Sequence, residues 1–225
     1  MEEVVTVAQT ATYRDAIAHV PAGGTLILTT VAWSEYEQLL SDLGEGCAAR
    51  VTYDRGRLEA MTPSSSHEMY ALLVLRLAVL VADETGVDLE SLGSTTFKRE
   101  DLAQGAEPDT CFYVQHAASI IGKRNIDLRS DPPPDVVVEV DVSHGSVSKL
   151  AFYASLGVPE VWRYDERRMH IYHLTTQGYI EAPASRTFPV LTSDALTESL
   201  ERSKTAGQSG ALRSFREWLR QRTSE

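Results

Sequence analysis

Two acidic segments carry the chemistry this chain has to offer: EPDTCFY at residues 107–113 and PDVVVEVDVS at 134–143. The second sets carboxylates into an otherwise apolar strand. Burying an ionised carboxylate is costly unless it is paired, hydrogen-bonded or bound to a cation, so Glu139 and Asp141 among valines call for an explanation. Side chains on a strand alternate between faces. Asp135, Val137, Glu139 and Asp141 therefore share one side, and Val136, Val138, Val140 and Val142 form a core side. The same parity groups Glu107, Asp109, Cys111 and Tyr113, and if the two strands are neighbours Asp109 meets Glu139 across the ladder. Two like charges that close repel each other unless a cation bridges them. A hard divalent ion such as Mg²⁺ (or Mn²⁺) accepts one or two carboxylates plus water and phosphate oxygens, so the pattern points to metal-assisted phosphodiester hydrolysis, with a nearby lysine stabilising developing negative charge. The competing reading is a half-exposed strand with ordinary surface acids, which alternates in the same way.

The elements that would position these acids can be read from periodicity and turn residues. A short helix around Tyr13 to Val20 and a strand TLILTTV precede SEYEQLLSDL, a helix with Ser34 as expected N-cap and Tyr36, Leu39, Leu40 and Leu43 on one face. VTYDRGRLEAMT reads as a hairpin turning at Asp54 to Gly56. After PSSSH comes the main core helix, with apolar residues from Met69 to Val81 around most of its circumference. Strand candidates follow in VDLESLGSTTFKR, EPDTCFYV and PDVVVEVDVS, then a helix SKLAFYASLGV ended by Gly157, then strands EVWRYD and MHIYHLT. Past Phe188 the chain reads as loop, with a final amphipathic helix using Leu212, Phe215, Trp218 and Leu219 and carrying Arg213, Arg216 and Arg220 outside. This order predicts an α/β (α+β) fold, a central mixed sheet flanked by helices. The expected division is a 1–32 accessory segment, a 33–190 main domain and a 191–225 tail.

Composition bounds the function. A formal net charge of −11 over 225 residues argues against sequence-blind nucleic-acid binding, so any phosphate contact has to be local. Cys47 and Cys111 lack metal or redox spacing. The N-terminus MEEVVTVAQT has no basic-then-apolar leader, and no apolar run reads as long enough to span a bilayer, so the expectation is a cytoplasmic protein without membrane contact.

GSTTFKREDLAQGAEPDTCFY, DPPPDVVVEVDVS and YASLGVPEVWRYD occur in this order, and over residues 30 to 190 the chain resembles the Uma-two family of the PD-(D/E)XK restriction-nuclease superfamily. The resemblance implies a restriction-endonuclease-like core, a metal-dependent endonuclease activity on DNA, and Asp109 and Glu139 as metal ligands. Where the superfamily pattern expects lysine, two residues after Glu139, this chain has Asp141, so the basic role has moved or been lost. Lys149, at the start of the next helix, matches a relocated lysine, and Lys98 is the competing candidate. In SSSHEMY, Glu68 matches a helix position that completes the metal shell, with His67 as a secondary ligand or phosphate contact. A helix-terminus role is the competing reading of both residues, and for His67 it is the preferred one. Asp141 reads as an outer ligand or a partner for a neighbouring cation, and Asp135 as a strand-entry residue bonded to backbone amides beside Pro132 to Pro134, with an extra acid at the site as the alternative.

A catalytically degenerate nuclease fold, kept as a binding or assembly module and forming a homodimer through an exposed strand or the C-terminal helix, is the second expectation. The negative charge and the displaced lysine favour it. Other motifs carry less. His144 in VSHGS lacks a nucleophile elbow, the pair His170 and His173 would face opposite ways on a strand, and IIGKRN has no phosphate-loop glycines upstream.

Overall fold

The computed structural model describes residues 7–44, 47–123, 125–141 and 149–223. These fall into two compact units: residues up to Ser65 with Thr96–Glu107 form the first, and Ser66–Thr95, Pro108 to Asp141 and Lys149 onward form the second. Along the chain run α1 (Val7–Ala18), β1 (Thr25–Leu28), α2 (Trp33–Leu43), β2 (Arg50–Asp54), β3 (Arg57–Met61), α3 (Ser65–Thr85) and β4 (Glu90–Gly93). Next come β5 (Phe97–Arg99), β6 (Gln104–Ala106), β7 (Thr110–Tyr113), α4 (Ala117–Ile120), β8 (Val136–Val140) and α5 (Leu150–Leu156). Strands β9 (Glu160–Tyr164), β10 (Met169–Thr175) and β11 (Gly178–Ala182) precede the long α6 (Ser193–Thr223).

In the first unit an antiparallel sheet of order β1-β3-β2-β6-β5 is built on the hairpin read from the sequence. Its two turn residues, Arg55 and Gly56, have φ of 46° and 92°, the left-handed pair that a two-residue hairpin matched to strand twist requires. Tyr36 stacks on Tyr53 with ring centroids 4.8 Å apart, in a core shared with Leu39, Val51 and Leu58. Ser34 is not the cap of α2. The helix begins at Trp33, and the Ala32 N–H donates to Glu35 Oε2 at 2.6 Å, so an acid in the first turn satisfies the open amide.

The second unit holds a mixed sheet of order β11-β10-β9-β8-β7-β4 in which β8 and β9 run parallel and the other pairs antiparallel. Val136, Val138 and Val140, the side assigned to the core from alternation, are buried with Trp162, Tyr164 and Ile171 against Leu73, Leu77 and Val81 of α3 and Leu200, Phe215 and Leu219 of α6. By length and composition α3 is apolar enough to cross a bilayer, contrary to the expectation from the sequence. Its apolar residues serve the core of this unit instead, where Leu73, Val74, Leu77 and Val81 are fully buried.

Two more expectations change. EPDTCFY is not one continuous strand: β7 starts at Thr110, and Glu107 sits in the first unit, accepting from the Val51 N–H at 3.2 Å and the Thr96 hydroxyl at 2.7 Å. The segment past Phe188 is not loop, because α6 begins at Ser193. Leu196 and Leu200, four apart on one face, are fully buried beneath an otherwise polar surface, and the helix breaks only at Gly207 (φ 69°, ψ 166°). His144 lies outside the described residues.

Arg216 and Arg220 of α6 clasp Glu84 of α3, with Nε atoms 3.1 and 2.9 Å from its oxygens. The Arg220 hydrogen bond lowers the Glu84 carboxyl below its ordinary range. A depressed carboxyl contributes stability above its unfolded value and loses it as pH falls through the folded one. Glu84→Gln is therefore expected to lower Tm slightly at pH 7 and low salt. The difference should shrink in 1 M salt and vanish once the pH is below the carboxylate range, as paired melting curves would register.

Candidate active site

The β7–β8 register pairs Cys111 with Val137 and Thr110 with Val138. Asp109 stands in the bend one residue before β7, at the end of this ladder where β8 runs on to Glu139. Asp109 is buried, and its Oδ2 accepts the Val140 N–H at 2.7 Å, so the carboxylate is fixed by the backbone of the strand that carries Glu139. From the first turn of α3, the buried His67 brings Nε2 to 3.4 Å from the same oxygen. Burial holds the His67 imidazole below its usual pKa against the opposing pull of Glu139 and Glu68. It therefore sits beside the acid as a neutral polar group near neutral pH.

Glu139 is held from the other side by α5. Lys149 Nζ lies 3.1 and 2.9 Å from its two oxygens, and the Tyr153 hydroxyl donates to Oε1. Lys149 at the N-cap and Tyr153 four residues on share one helix face, which explains how a seven-residue helix delivers both to one carboxylate. Glu139 and Lys149 are only 16% and 13% exposed, so their pairing is screened far less than a surface pair. Burial raises the Glu139 pKa, Lys149 opposes this, the negative Asp109 adds to it, and the Tyr153 hydrogen bond lowers it.

Of the residues singled out from the sequence, Asp109, Glu139, Lys149 and His67 come together within the second unit. Glu68 is exposed on the first turn of α3, one residue past His67. Lys98 lies in the first unit, on β5, with its amine 2.9 Å from Glu37. Asp141 accepts two bonds from Arg163, at 2.8 and 2.5 Å. Asp135 is buried and accepts from backbone N–H groups, those of Val114 and His116 rather than the expected ones beside Pro132 to Pro134. Tyr153 and Arg163 were not singled out. The i, i+4 spacing from Lys149 was available as a signal for Tyr153, whereas Arg163 reaches this part of the sheet through the β8–β9 pairing, which no local pattern announces.

Among the described residues, no group of three or more His, Cys, Asp or Glu side chains is arranged to hold a metal ion, so the candidate donors are the two carboxylates of Asp109 and Glu139. The donor set suits a hard oxygen-seeking ion that keeps part of its water, since such an ion takes one or two carboxylates and leaves other positions to water and phosphate. The charge arrangement agrees: Asp109 makes the ionised form of Glu139 less favourable, a cost that a bound divalent cation would reverse.

The sequence profile of the Uma2 family, described as "Putative restriction endonuclease", matches residues 33–205. A search of curated proteins gives no match. Among solved structures the fold is similar to that of "a putative nuclease belonging to DUF820" from Anabaena variabilis ATCC 29413, with a TM-score of 0.51 and 14% identity over 76% of this chain and 99% of that one. The fold is thus a mixed α/β fold with sheets flanked by helices, shared with that structure, and with the family profile spanning most of its length, the chain belongs to the Uma2 restriction-endonuclease-like family.

Proposed function

We propose that this protein is a metal-dependent endonuclease that hydrolyses phosphodiester bonds of DNA. The carrying observation is that Asp109, one residue before β7, is bonded to the β8 backbone next to Glu139, with the Lys149 amine on Glu139. Asp109 and Glu139 would hold Mg²⁺ or Mn²⁺. When bound, such an ion supplies Lewis acidity toward a phosphoryl oxygen and a more acidic water. The chain's own side chains do the rest. The Val140 N–H orients Asp109, and Tyr153 with Lys149 orients Glu139. The Lys149 ammonium is the cation placed to balance negative charge that grows on the phosphate during the reaction. Neutral His67 packs against Asp109 without neutralising it, and Glu68 adds negative charge at that end of α3.

Calorimetric titration with Mg²⁺ and Mn²⁺, on the wild type and on Asp109→Ala, with plasmid nicking by both proteins, tests this reading. The wild type is expected to bind the ion and nick. The variant is expected to lose binding, with nicking down by ~10³-fold or more, since the ion's electrostatic contribution amounts to several kcal/mol.

A second reading, a degenerate nuclease fold acting as a binding or assembly module, has its own support. The chain carries a net charge of −11, and Asp141, at the position where the superfamily pattern has lysine, is engaged with Arg163. Absence of both binding and nicking in the wild type selects it.

A further inference from the structure

The parallel register of β8 and β9 pairs Glu139 with Arg163, so the arginine stands on the strand next to the acid. Both side chains are on the sheet face opposite the valine core, and Asp141 shares that face. The guanidinium donates to a single oxygen, Asp141 Oδ2, from Nε at 2.8 Å and Nη2 at 2.5 Å. Its side chain remains 40% exposed. A guanidinium carries five N–H donors, so holding it along one edge leaves donors for a second, planar anionic partner.

As an exposed ion pair alone, Arg163–Asp141 would matter little to stability, with a typical contribution of ~0–1 kcal/mol. Its position gives it another use. The Lys149 charge serves Glu139 and the reacting phosphate, and in a protein with a net charge of −11 affinity for the neighbouring phosphates has to come from other cations placed locally. A polynucleotide with one phosphate at Asp109 and Glu139 extends further phosphates to either side. Arg163 stands on one of those sides, already held by the Asp141 carboxylate, and so loses little side-chain entropy on contact.

We infer that Arg163 binds a backbone phosphate of the substrate next to the one being cleaved, and that Asp141 is its positioning residue. This rests on the nuclease reading and adds a substrate contact to it.

The test is steady-state nicking of a defined DNA duplex by the full chain in Mn²⁺, across a range of salt concentrations, for the wild type, Arg163→Met, Arg163→Lys and Asp141→Asn. Arg163→Met is expected to raise KM about tenfold with kcat nearly unchanged, and to reduce the slope of log affinity against log salt by about 0.9, as loss of one phosphate contact does. Arg163→Lys, which keeps the charge without the fork, should restore the slope but only part of KM. It also carries the test if the methionine variant melts early. Asp141→Asn keeps the cation and should raise KM less than Arg163→Met, with a wild-type slope. Equal KM changes in Arg163→Met and Asp141→Asn, tracking equal falls in Tm, would make the pair purely structural and overturn the inference. So would an unchanged KM and slope in Arg163→Met alongside an active wild type, with the nuclease reading intact. A wild type whose nicking does not depend on metal and on Asp109 removes both.

Discussion

Replacing Lys149 with methionine is expected to slow DNA nicking by ~10²–10³-fold, the loss that follows removal of one charge-stabilising donor from a reacting centre. The same substitution should move the pH dependence. Glu139 functions ionised, and burial together with the negative Asp109 holds its proton on, while the Lys149 cation works against both. Without that cation the Glu139 pKa rises further, so the acid limb of the rate profile shifts to higher pH. Lys149→Arg keeps the charge and should leave the limb near its wild-type position even if the rate falls. An equal rate loss at every pH in Lys149→Met, with the limb unmoved, would mean that the amine does not govern Glu139. The two readouts separate a lysine that acts on the carboxylate from one that only props up the helix.

Glu160→Ala is expected to produce the largest loss of stability, ~3–5 kcal/mol, or roughly 10 °C in Tm for a chain of this size. Glu160 is fully buried on β9. One oxygen accepts from the Trp162 indole, and the other accepts from the Arg186 N–H at 2.8 Å and the Thr187 N–H at 3.2 Å. Alanine leaves those donors without their acceptor and opens a cavity under the segment that leads into α6. Glu160→Gln retains the volume and one acceptor and should fall in between. Chemical denaturation of the three proteins measures this. A loss below ~1 kcal/mol for alanine would show that water replaces the carboxylate, and that the segment is not anchored by it.

The parts of the fold legible in the sequence are those whose signal is local. The valine alternation of β8 predicts its core face, the Asp54 to Gly56 turn predicts the hairpin, and the crowded apolar surface of α3 predicts a core helix. The antiparallel pairing of β7 with β8 that brings Asp109 near Glu139 also follows from local patterns, although Asp109 itself lies in a bend before β7 that strand parity does not register. What escaped depends on contacts between distant residues. VDLESLGSTTFKR reads as one strand but divides between β4 in one sheet and β5 in the other, and nothing in its alternation records sheet membership. The first half of α6 was hidden by its polar composition, which outweighs the short apolar stripe of Leu196 and Leu200. Arg163 arrives beside Glu139 through a parallel pairing across α5, a crossover whose ends no hairpin signal marks.

The interleaving of the two units has a consequence for biosynthesis. The sheet made of β1-β3-β2-β6-β5 draws its last two strands from residues 97–106, after all of α3 and β4 has been made. During translation the early hairpin must wait for these strands, and α3 leaves the ribosome with its apolar sides uncovered until β7 and β8 follow. A nascent chain halted between Thr85 and Phe97 would therefore offer two incomplete layers to chaperones and proteases, and cutting the gene at Ser65 would yield neither half intact.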